Sequence, residues 1–144
     1  MDTTDIFDLL AKDQNFQTIM KRLLEASIMF SFNGIMITEA GEGYPIVYVN
    51  DAFCEMTGYG PHEVAGRSPA MLQGPKTDPV VLDRLRRDLD AERLFHGRAV
   101  NYRKDGTEFV MEWKIVPIRG DDERITHYLA IQRDVTPVGI GGPA

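Results

Sequence analysis

Apolar residues recur at helical spacing through residues 1–27 and then switch to alternation from Ile35 onward. In the first stretch Ile6, Leu9 and Leu10 form one cluster, and Phe16, Ile19, Met20, Leu23 and Leu24 form a second, with Asn15 placed to cap it. Such a stripe either packs on the domain that follows or forms a dimerisation face, and the pattern leaves both open. Gly34–Thr38 and Pro45–Val49 then read as short strands around the Gly41-Glu42-Gly43 turn, and Asp51–Thr57 as two helical turns ended by Gly58. Thr77-Asp78-Pro79 opens a longer helix to about Ala91, which should bury Val81, Leu82, Leu85 and Leu89. Leu94–Arg103 and Thr107–Ile118 are strands joined through Asp105-Gly106, a hairpin signal, and Ile125–Val135 follows as the last strand. The expected fold class is α+β, one antiparallel sheet of about five strands with short helices on one face and an N-terminal helical extension.

Composition narrows the picture. The chain has 144 residues, and 16 Lys+Arg against 22 Asp+Glu give a net charge of −6. That length suits one domain, and the acidic balance argues against nucleic acid and anionic membranes as partners. No apolar run is long enough to span a bilayer. The single cysteine, Cys54, forbids an intrachain disulfide and, with no secretory signal visible, points to the cytoplasm. His62, His96 and His127 are scattered and share no metal-ligand spacing with Cys, Asp or Glu. No catalytic motif is present, so no enzyme activity is expected.

Alternation also sorts the strand faces. Phe95, Gly97, Ala99 and Asn101 share one face; Phe109, Met111, Trp113 and Ile115 share another; Tyr128, Ala130 and Gln132 share a third, on a strand whose opposite face is also partly apolar. Facing inward, Asn101 and Gln132 are amides buried beside small residues. They bond either to a flat heterocycle with donors and acceptors along its edge or to backbone and water. Arg86 sits on the margin of the long helix's apolar stripe, where a cation either holds an anionic tail or covers apolar surface with its stem. Arg84 and Arg87 fall on the solvent side.

Several short motifs taken together carry a family resemblance. Val49-Asn50-Asp51-Ala52-Phe53, Thr57-Gly58-Tyr59, Gly66-Arg67, Leu72-Gln73-Gly74-Pro75, Asn101-Tyr102-Arg103-Lys104-Asp105-Gly106 and Gln132-Arg133-Asp134-Val135-Thr136 resemble, in order and spacing, the light-oxygen-voltage (LOV) branch of the PAS superfamily. The resemblance divides the chain into an N-terminal helical extension (1–24), a PAS/LOV-like domain (25–136) and a flexible tail (137–144). It implies a sensory domain that binds a flavin, FMN in the usual case with FAD or an apo state as alternatives. Gln73 matches a contact to the ribityl chain, Arg86 a phosphate contact, Asn101 a contact to the pyrimidine edge, and Gln132 the glutamine facing the reactive ring.

Five positions depart from the family pattern. Pro69 stands where the adduct-forming cysteine belongs, Ser68 and Ala70 replace the flanking asparagine and arginine, and Met111 replaces the second pyrimidine-edge asparagine. Trp113 occupies a position usually held by Phe or Leu. These departures imply non-covalent flavin binding, with a response to light or redox state and no cysteinyl adduct. The alternative is a flavin-free PAS interaction module, or a PAS domain for another small ligand. A homodimer through the N-terminal helix is the expected assembly, with an effector that the residues do not name. The long helix holds no histidine, which argues against haem.

Overall fold

A computed structural model describes residues 8, 10–12 and 14–137, and the chain divides into two compact units on either side of Ser31 and Phe32. In the first unit, α1 spans Phe16–Met29 with no buried residue. Asn15 occupies the N-cap position as expected, but its side chain makes no capping hydrogen bond. The helical readings at Ile6 and Leu9 and the tail from 138 to 144 lie outside the described residues.

The second unit carries the sheet. Its strands are β1 (Gly34–Glu39), β2 (Ile46–Val49), β3 (Phe95–Tyr102), β4 (Glu108–Arg119) and β5 (Ile125–Asp134). They form the single five-stranded antiparallel sheet that the strand pattern led us to expect, in the order β2-β1-β5-β4-β3. Between β2 and β3 run α2 (Asp51–Thr57), α3 (Pro61–Val64), a 3-10 turn (Pro69–Leu72) and α4 (Pro79–Asp90). The pattern had not resolved α3 or the 3-10 turn, each a single turn opened by proline and too short to show a period.

Local chemistry fixes these elements. Asn50 caps α2: its Oδ1 accepts from Phe53 N at 3.0 Å and also from Ile35 N at 2.8 Å, so one side chain ties the helix to the first strand. Gly58 ends α2 in the left-handed conformation, at φ 80°. Asp78 accepts from Val80 N at 2.9 Å, and Pro79 fills the first position of α4. The loop before α4 is pinned to β3 by Thr77 Oγ1, which donates to Val100 O at 2.6 Å, and by Tyr102, whose hydroxyl accepts from Lys76 N at 2.9 Å.

Two apolar clusters make the core. Met36, Ile46, Val49, Phe53, Val64, Leu72 and Ala130 pack beneath the short helices, while Phe95, Ala99, Phe109, Met111 and Trp113 pack toward α4. The ambiguous β5 resolves with Ala130 and Gln132 on the inner face. One expectation for α4 needs correction. Val81, Leu82, Leu85 and Leu89 are only half-buried; the last three line a hollow, while Val81 and Leu85 also pack against the second core cluster. Arg84 is exposed as expected, and its guanidinium also lies 5.1 Å from the Phe95 ring centroid and donates to His96 O at 2.7 Å.

On the outer face, Glu112 is only 8% exposed because Arg98, Arg133 and His96 surround its carboxylate. Hydrogen bonds from Arg98 and Arg133, each 2.7 Å from a carboxylate oxygen, hold its pKa down at about 2.

Candidate functional site

Between the sheet's inner face and the helices lies a cavity of about 350 Å³, at the lower end of the range that holds small-molecule ligands. Strand register assembles its floor. Gln132 on β5 pairs with Gly34 on β1 and with Trp113 on β4, and Trp113 pairs with Gly97 on β3. The two polar or bulky side chains at the centre of this row are therefore flanked by glycines. A Cβ on Gly97 would come within 2.5 Å of Phe95 and 2.9 Å of Arg84, so this glycine is required by close packing. The next row, Met36 opposite Ala130 and Ala130 opposite Ile115, is apolar. The opposite wall is Leu82, Leu85 and Leu89 of α4, and the rim is built from the 3-10 turn and the loop around Tyr44.

All eight residues singled out in the sequence line this one cavity: Ser68, Pro69, Gln73, Arg86, Asn101, Met111, Trp113 and Gln132. They span positions 68 to 132 of the chain, brought together by the β3–β4–β5 meander and the folding of α4 across it. The lining residues that the pattern did not single out are chiefly Met36 and Thr38, with Gly43 and Tyr44. The first two share a strand face with Gly34, so alternation on β1 carried the signal. Tyr44 carried none: it sits at φ 50° in a turn, where its ring meets Tyr128 edge-on at 5.6 Å.

The two amides differ. Asn101, 3% exposed, satisfies its nitrogen on the carbonyl oxygens of Leu72 and Val100, each at 3.2 Å, once the amide is turned to the orientation its neighbours favour. Backbone bonding, one of the two readings open from the sequence, therefore holds for half of Asn101. It does not hold for Gln132. That side chain is also 3% exposed, its nitrogen reaches only the Met36 sulfur at 3.9 Å, and its Oε1 accepts no hydrogen bond from the described residues. A buried amide oxygen without a donor costs about 1–3 kcal/mol, and a ligand N–H placed there removes that cost.

Charge at the site is sparse. Arg86 is the one charged side chain among the described lining residues. Burial, then the Tyr44 hydroxyl, pushes the Tyr128 phenol up from its ordinary value, so it is a neutral group. Cys54 does not line the cavity; it is half-buried on α2 against the first core cluster. Burial and the neighbouring Asp51 raise its pKa, which keeps it a thiol and opposes nucleophilic reactivity. Among the described residues no cluster of His, Cys, Asp or Glu has the geometry of a metal site, and no helix is long and apolar enough to cross a membrane.

A five-stranded antiparallel sheet clasped by short helices around a ligand-sized hollow defines a small-molecule sensor domain of the PAS class. The PAS domain family matches residues 33–137, and the chain belongs to that family. Within it, the homologues are LOV domains. The chain is 40% identical over 94 residues to blue-light-activated histidine kinase 1 of Erythrobacter litoralis, covering 65% of this chain and 26% of that protein. A solved structure described as "Flavin Analogue Sheds Light on Light-Oxygen-Voltage Domain Mechanism" superposes with a TM-score of 0.72 at 32% identity, covering 83% of this chain and 85% of the other. An RNA-binding light-oxygen-voltage receptor superposes with a TM-score of 0.78 at 30% identity, covering 83% of this chain but 34% of the receptor. The chain spans only 10% to 27% of the length of the curated relatives it resembles, so it corresponds to their sensor portion.

Proposed function

We propose that residues 25–136 form a LOV-type sensor that holds a flavin, FMN or FAD, without a covalent bond and responds to light or redox state with no cysteinyl adduct. The observation that carries this reading is the Gln132 Oε1 left without a donor from the described residues in the wall of a largely apolar cavity. The donor set fits a flavin: two amides for a heterocycle edge, apolar walls from α4 and the sheet for its faces, and Gln73 and Arg86 for a hydroxylated, anionic tail. When bound, the flavin supplies blue-light absorption and reversible electron uptake. The chain's own residues bind it, orient it and shield it from water.

Pro69 supports the non-covalent reading, because a proline in the cavity wall has no thiol to offer and Cys54 is held elsewhere as a thiol. Gln132 carries both a donor and an acceptor on one amide, so by turning that amide it serves either partner. It lies two residues before Asp134, the end of β5, a placement that supports a role in coupling the cofactor's state to the C-terminus. The exposed apolar residues of α1, Leu23, Leu24 and Met29, support a homodimer through the helical extension, in a cytoplasmic protein.

The test is illumination of the protein loaded with FMN. The expected result is flavin uptake with no light-driven bleaching that depends on Cys54. Absence of flavin uptake overturns the flavin reading, and a dark-reversible bleaching lost in Cys54→Ala overturns the non-covalent one.

A further inference from the structure

The cavity rim is neutral except at one point. Ser68, Ala70 and Gln73 border it from the 3-10 turn, Tyr44 borders it from the turn before β2, and Arg86 on α4 supplies the sole positive charge among the described lining residues. The other arginines of α4 are committed, Arg84 to Phe95 and the His96 carbonyl, and Arg87 to Asp83. Arg86 itself is exposed to solvent. Asp83 and Asp90 lie three residues before it and four after it on the same helix, Asp83 already paired with Arg87, so the helix surface around the cation is acidic in sequence.

We infer that this site recognises a flavin by its ring system and hydroxylated chain and discriminates little for a terminal phosphate, so that riboflavin binds nearly as well as FMN. The inference rests on the flavin reading above and adds the ligand's specificity to it. A phosphate monoester carries up to two negative charges and is held tightly where several donors converge on it, as in a bidentate arginine clamp or a helix N-terminus. Here it meets one solvated guanidinium flanked by acids. An exposed ion pair of this kind is worth about fivefold in affinity or less. The ring, by contrast, gains the apolar walls and relieves the Gln132 oxygen, and riboflavin and FMN share both gains.

The experiment is titration of the flavin-free full chain with riboflavin and with FMN, followed by quenching of flavin fluorescence at low ionic strength and at about 0.5 M salt, where surface charges are screened within a few ångströms. The expected ratio of dissociation constants is below about ten at low salt and close to one at high salt. Ala70→Arg, which adds a second cation at an exposed rim position, should raise the preference for FMN above tenfold. A wild-type preference for FMN above tenfold overturns the inference while leaving flavin binding intact, and so does an Ala70→Arg protein with an unaltered ratio. A protein that takes up neither ligand overturns the flavin reading itself, and this inference with it.

Discussion

Replacing Gln132 with leucine should move two measurements in opposite directions. The substitution keeps the side chain's approximate volume and removes an amide whose Oε1 has no donor and whose Nε2 reaches only a thioether at 3.9 Å. In the flavin-free protein the lost oxygen was a burden of about 1–3 kcal/mol, and leucine adds apolar contact with Met36 and Trp113. Taking about 1 kcal/mol as the net gain, the midpoint of thermal unfolding should rise by about 3 °C for a chain of this size. With FMN present the sign reverses. A hydrogen bond to the ligand is worth about 1 kcal/mol net, so affinity should fall about fivefold and the stabilisation by saturating ligand should shrink accordingly. Differential scanning fluorimetry across an FMN titration measures both effects in one series. A flavin-free Gln132→Leu protein that melts several degrees below wild type would mean that the amide is already satisfied by the protein, and the central argument for a ligand would fail.

The remaining expectations concern other parts of the fold. Glu112 has its pKa lowered from 4.5 to about 2, so its contribution to stability is complete above pH 4.5 and is lost as pH falls toward 2. Urea midpoints measured across that window should therefore decline more steeply for wild type than for Glu112→Gln, and parallel curves would remove the cluster from the account. Gly97→Ala should destabilise by about 1–3 kcal/mol, because the new methyl meets Phe95 at 2.5 Å; an unchanged urea midpoint would refute the packing argument. Light scattering should give a dimer mass for the full chain and a monomer for one starting at Ala26, since the latter lacks Leu23 and Leu24, which are 47% and 62% exposed. The same monomer mass for both would eliminate the helix as an interface.

How much of this was legible beforehand depends on the periodicity available to each element. The long strands declared themselves because eight to twelve residues give enough alternation to sort two faces. That is why Asn101, Met111 and Trp113, and on a less clearly alternating strand Gln132, each fell on the small or apolar face of its own strand. Pro69 and Ser68 reached the cavity through a 3-10 turn of four residues that no period reveals, and only the resemblance pointed to them. Arg84 is exposed as helical angles implied, but its contacts were not legible, because its partners, Phe95 and the His96 carbonyl, arrive from β3. The half-burial of Leu82, Leu85 and Leu89 was invisible for a related reason: an apolar stripe reads the same whether it meets side chains or the wall of a ligand cavity. Glu112 shows the converse, a carboxylate on an outer face whose burial comes from Arg98, Arg133 and His96 on the neighbouring strands.

The most direct test of a ligand-holding cavity is equilibrium dialysis of FMN against the wild-type chain and against Leu85→Trp, which fills the hollow from the α4 wall and is checked for intact folding by circular dichroism. One flavin bound per wild-type chain and none per folded Leu85→Trp chain is the expected result. Equal retention by both proteins, or none by wild type, would contradict the assignment of this cavity as a flavin site.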